Sequence, residues 1–143
     1  MALDPTPVYK AVEAKVRSAT AAPVYISEIP EDESLEYTPD GMLRPFVVLY
    51  FGGPIRAAND HSLVSSRNDT TILYFTVECY AGREWDAVKL KGILVDALCG
   101  LTGNDFGELI LNGSMSYSRS SNKVRPTLYV ESFALTCRSN LSN

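Results

Sequence analysis

The chain's only histidine, His61, lies between Asp60 and Ser62, the three residue types that a serine-nucleophile triad combines. In such a site the imidazole takes the hydroxyl proton while the carboxylate holds the ring in place. No nucleophile-elbow sequence accompanies these residues, and loops hold Ser and Asp for reasons of turn chemistry alone, so a solvated loop histidine is the simpler reading. Zinc fails for want of ligands, since Cys79, Cys99 and Cys137 are far apart and make no paired spacing with one histidine. Odd in number and set in apolar surroundings, the cysteines read as small buried thiols in a reducing compartment.

Two charged clusters invite other chemistry. Glu28, Glu31, Asp32, Glu33, Glu36 and Asp40 offer paired carboxylates or a hard-cation site, but they lack the alternating ligands and the glycine of a calcium loop. Mutually repelling carboxylates on an exposed connection need only water. Arg119, Lys123 and Arg125, with Tyr117 and Tyr129 nearby, combine charge and stacking surface as single-stranded nucleic-acid grooves do. The alternation of Ser and Tyr there favours a polar hairpin rim that touches a protein partner. Gly52-Gly53-Pro54 opens no helix and precedes no Lys-Ser/Thr pair, so it terminates a strand rather than cradling phosphate.

Composition sets the frame for these groups. A chain of 143 residues, 45% hydrophobic and 21% charged, reads as one globular domain able to bury a core without disulfides or metals. The net charge of -4 argues against a nucleic-acid binder. Charge is uneven, with eight carboxylates against Lys10, Lys15 and Arg17 before residue 44, and Arg119, Lys123, Arg125 and Arg138 against Glu108 and Glu131 after residue 105. An acidic front and a basic tail suit head-to-tail contacts that close into a ring. No signal-peptide pattern or membrane-length apolar run is expected to direct the chain elsewhere, which makes the Asn-x-Ser/Thr triplets at Asn68, Asn112 and Asn140 uninformative.

The elements follow from periodicity. Pro5 and Pro7, then Val8, Val12 and Val16, predict an amphipathic helix that ends before Pro23. Val24 to Ile29 and Phe46 to Phe51 read as strands, with a turn at Thr38-Pro39-Asp40-Gly41 between them. Residues 53–69 form either a long functional loop or a hairpin whose strands extend beyond the sheet. Thr71 to Tyr80 alternates Leu73, Phe75, Val77 and Cys79 with Ile72, Tyr74, Thr76, Glu78 and Tyr80. A strand apolar on both faces is central in a covered sheet or meets another subunit.

A second helix is predicted from Glu84 to about Leu101. Ala87, Leu90, Leu94, Leu98 and Leu101 make one apolar rib, and Val88, Val95 and Cys99, with Gly92 among them, make another. The first rib belongs on the domain's own sheet, while the second meets either another element or another copy. Glu108 to Asn112 and Met115 to Ser118 read as short strands joined at Asn112-Gly113, followed by a long strand from Thr127 to Arg138. The expected fold is a single α+β domain, a mixed or antiparallel sheet with both helices on one face and a long hairpin loop at 53–69.

From Phe46 to Arg138 the order of features, with His61-Ser62-Leu63, Ser65-Ser66-Arg67-Asn68-Asp69, Gly82-Arg83-Glu84-Trp85-Asp86 and Asp96-Ala97-Leu98-Cys99-Gly100-Leu101, resembles the tail terminator proteins of long-tailed bacteriophages, especially those infecting actinobacteria. Here Asn68-Asp69 stands where family members often carry Gly or Ser-Arg-Asp, and residues 27–43 match least. The resemblance implies a non-enzymatic virion protein without cofactors, made in the host cytoplasm. It implies a ring, expected to be a hexamer, that caps the tail tube, stops its polymerisation and meets the head connector, with DNA passing through its lumen. The expected partners are its own copies, tail tube protein and connector. The candidate interface residues are Ile55, Arg56, His61, Leu63, Val64, Arg67, Trp85, Val88, Val95, Arg119, Lys123 and Arg125. Another neck-ring component, a small soluble adaptor and an enzyme built on His61 are the alternatives.

Overall fold

Two helices lie on one face of a mixed sheet in the computed structural model, which describes residues 5–30, 35–53, 55–56, 71–103, 106–120 and 127–139. The elements run α1 (Thr6–Ala19), β1 (Val24–Ile26), β2 (Phe46–Phe51), β3 (Ile55–Arg56), β4 (Thr71–Ala81), α2 (Glu84–Leu98), β5 (Ile110–Ser120) and β6 (Thr127–Ser139). Strand order is β1-β2-β4-β6-β5, with β3 also on β4. Only β1 runs parallel to its neighbour. This is the α+β single-domain fold that the pattern predicts.

The sheet's alternation makes two cores. Leu73, Phe75, Val77 and Cys79 of β4 face the helices, where they meet Val47 and Leu49 of β2 and Phe133, Leu135 and Cys137 of β6. Val8, Val12 and Val16 of α1 and Leu90, Leu94 and Leu98 of α2 close this core from above. Tyr9 anchors α1, stacking on Phe51 at 4.5 Å between ring centroids and meeting Phe75 edge-on, while its hydroxyl donates to the Gly52 carbonyl. On the opposite face a smaller cluster gathers Leu43, Phe46, Val48, Tyr80 and Val130, with Phe46 and Tyr80 stacked at 4.6 Å. The 35–43 segment covers this cluster, turned back on itself by a bridge between Tyr37 and Leu43. Its end packs so closely on the β4–α2 corner that a Cβ on Gly82 would lie 2.8 Å from the Leu43 backbone nitrogen.

Several boundaries differ from the sequence reading. The first strand ends at Ile26 rather than Ile29, because Ser27 turns the backbone to φ 61. The second helix ends at Leu98, and Cys99 takes an extended conformation while its N–H still bonds Val95. β2 ends at Phe51, as expected from the glycines that follow; the Gly52 N–H still bonds the Tyr74 carbonyl at 2.8 Å, and a further short strand, Ile55–Arg56, pairs with β4 opposite Ile72 and Thr71. Ile55 and Arg56 thus start antiparallel to β4 within the sheet, while the choice between a long loop and an extended hairpin falls on residues 57–70, outside the described residues.

The two short strands expected around Asn112-Gly113 are one. Ile110–Ser120 pairs with β6 throughout, and the extra residue is absorbed as a bulge between Leu111 and Gly113. Gly113 takes φ 145 there, a conformation open chiefly to glycine, so the signal that resembles a hairpin turn marks a bulge instead.

Candidate assembly surface

Helix α2 crosses β4 and β6, turning Ala87, Leu90, Leu94 and Leu98 into the core. The second apolar rib therefore points away from the core and toward the β5 side. Val95, nearest the sheet, packs partly against the core, whereas Val88, Gly92 and Cys99 are exposed. Trp85 beside them is 67% exposed, with the Arg83 guanidinium 5.9 Å from its ring centroid, a cation–π arrangement. Apart from the helix's own adjoining backbone, nothing among the described residues lies within 4 Å of where a Gly92 Cβ would sit.

The adjacent sheet edge is equally open. Among the described residues β5 is hydrogen-bonded to β6 on one side only. By register, Ser114 and Ser116 stand opposite Phe133 and Glu131 and so face the helix layer, while Met115 and Tyr117 face the other way with Ser132 and Val130. Ile110, Leu111 and Met115 are exposed, and no charged residue occurs from Ile110 to Ser118. Edge strands usually carry lysine, proline or inward charge that discourages pairing with another chain. From Ile110 to Ser118 β5 has only its bulge, with Arg119 following near the strand's end.

Polar links hold this flank in shape. The Lys91 ammonium, on the sheet side of α2, donates to Glu131 at 3.2 Å and to the Ser114 hydroxyl. Across the sheet the Tyr117 and Tyr80 hydroxyls donate to the two oxygens of Glu78, at 2.6 and 3.0 Å, and burial together with the Glu78 charge pushes the Tyr80 pKa up. Burial raises the Cys79 thiol to about 12 and the Cys137 thiol to about 11. Cys99 corrects the expectation of three buried thiols: it is exposed at the end of the outward rib. Its pKa is nonetheless raised, first by partial burial and then by Asp96 and Glu108, which disfavours the reactive thiolate.

The structure brings only part of the predicted interface together. Trp85, Val88 and Val95 share the α2 flank. Ile55 and Arg56 lie in β3 at the base of the hairpin, and Arg119 lies opposite Leu128 near the end of β5. His61, Leu63, Val64, Arg67, Lys123 and Arg125 fall outside the described residues, so the triad reading of His61 is untouched by the geometry. Among the described residues no group of three His, Cys, Asp or Glu side chains is placed to hold a metal ion, and no helix is long and apolar enough to cross a membrane. A cleft of about 420 Å³ separates the end of α1 from α2, lined by Glu36, Arg44, Asp86 and Lys89 among apolar neighbours. Those four charges cancel, giving the cleft no excess field for a charged ligand.

The continuous β5 edge, uncharged from Ile110 to Ser118, is the feature that sequence reasoning missed. Its signal was present in the alternation Ser114-Met115-Ser116-Tyr117-Ser118. Compared with known proteins, the chain matches no protein-family model, and the search of curated proteins likewise gives no match.

Proposed function

We propose that this protein is a structural subunit that assembles with copies of itself into a ring, in the manner of the tail terminators its sequence resembles. The observation that carries the self-assembly is the pairing of an exposed apolar rib on α2 with the adjacent edge strand β5, which is open on one side among the described residues and carries no charge from Ile110 to Ser118. Exposed large apolar groups set next to unpaired backbone are costly on a protein that stays alone, because each invites association. The position of the ring, at the head-proximal end of a phage tail with tube protein on one face and the connector on the other, rests on the sequence resemblance. In this role the chain performs no reaction, and its work is geometric: a ring of fixed size offers the tube no further site for addition.

Electron microscopy of particles made without this chain tests the reading. Tails of unregulated, excessive length support a terminator. Tails of normal length detached from filled heads indicate another neck component, and normal infectious particles overturn the structural role.

A further inference from the structure

We propose that the bare flank formed by α2 and β5 is filled by helix α1 of the next copy. The inference rests on the ring reading and names its contact. The two helices do not cover the whole of their face of the sheet. The deficit falls over β5, since α2 rests on β4 and β6 and the helix-facing Ser114 and Ser116 are exposed. At the other end of the sheet the edge strand is β1, which directly follows α1. Head-to-tail placement of two copies thus sets α1 of one beside the uncovered rib of the other and continues both layers.

Charge selects α1 as the occupant. Lys10, Lys15 and Arg17 project from its exposed side against Glu13 alone, which pairs with Arg17 at 2.9 Å. The rib on α2 is bordered instead by exposed Glu84, Asp96 and Glu108. Of the cations near it, Lys91 is taken by Glu131, Arg83 lies over Trp85, Lys89 lines the cleft on the other side of the helix with Asp86, and Arg138 lines a pocket with Glu108, leaving Glu84 and Asp96 as the main acidic border. Among the described residues the first helix is thus a basic surface, and the border of the outward rib is an acidic one. Gly92, in the middle of the rib, meets nothing beyond its own helix among the described residues, and its missing side chain lets a facing helix approach closely.

A disulfide trap tests the contact, using the exposed native Cys99 while Cys79 and Cys137 stay buried. The variant Ala14→Cys places a thiol on the exposed side of α1. With copper phenanthroline as oxidant, it should give a ladder of covalently joined copies that disappears when Cys99→Ala is added. In parallel, Lys10→Glu with Lys15→Glu, or Glu84→Lys with Asp96→Lys, should each weaken self-association roughly tenfold by sedimentation, and the four changes together should restore it. If wild-type protein assembles but Ala14→Cys gives no ladder and the combined charge changes give no rescue, this contact is overturned and the ring reading stands. If the wild type stays monomeric both alone and with tail tube protein, both are overturned.

Discussion

Lys91, midway along α2, places its ammonium 3.2 Å from a carboxylate oxygen of Glu131 in β6, with both side chains largely withdrawn from water. Glu131 is the one buried charged residue of the described core, so its charge depends on that partner. Lys91→Met should destabilise the fold by about 3 kcal/mol, since it leaves a carboxylate buried without compensation. Combining Lys91→Met with Glu131→Leu should recover most of the loss, because a buried ion pair replaced whole by apolar groups is often neutral. Urea unfolding of the single and double variants checks this. A double variant no more stable than Lys91→Met would show that the pair does not act as a unit.

Two glycines near α2 are predicted to behave oppositely. Gly92→Ala puts a methyl into open space within a helix and should raise stability by about 0.5–1 kcal/mol. Gly82→Ala drives a Cβ to 2.8 Å from the Leu43 backbone, where no side chain can swing away, and should cost about 1–3 kcal/mol. Denaturant midpoints compared at constant slope measure both, and equal effects would refute the assigned surroundings.

The helical parts of this fold were legible because their signals are local. Val8, Val12 and Val16 repeat at helical spacing, and the Leu90–Leu94–Leu98 rib announces its own burial. β4 was legible from alternation alone. What escaped was set by tertiary pairing: Gly113 reads as a turn in isolation, and only the partner strand β6 makes it a bulge. Cys99 was assigned to the interior by its neighbours, yet helix termination at Leu98 leaves it outside. The candidate surface was half visible, since the sequence separates two ribs on α2. Without the strand order, nothing in the sequence shows that the outer rib borders a sheet edge.

Alkaline pH should destabilise the protein through its buried thiols. Cys79 and Cys137 are raised from 9.0 to about 12 and about 11 by burial, so the folded state resists an ionisation that the unfolded chain undergoes. A raised folded pKa means that the stabilisation is complete below pH 9 and drains away from about 9 to about 12 for Cys79 and to about 11 for Cys137, by up to about 1.4 kcal/mol per pH unit for each thiol. Urea midpoints taken at pH 7.5 and 10.5 should fall more steeply for wild type than for Cys79→Ala. Parallel declines would remove Cys79 as a contributor.

The decisive separation of fold from assembly lies in Trp85 and Val88. Both are exposed on the outward side of α2, at 67% and 48%, and surface changes away from core contacts seldom move stability by more than about 0.5 kcal/mol. Trp85→Ser with Val88→Ser should therefore leave the thermal midpoint within a few degrees of wild type while weakening self-association at least tenfold, since aromatic anchors carry a disproportionate share of interface energy. Calorimetry and sedimentation on the same preparation read the two effects separately. A large drop in thermal midpoint with unchanged association would place these side chains in the domain's own packing, where an outward rib facing a bare strand has no reason to be.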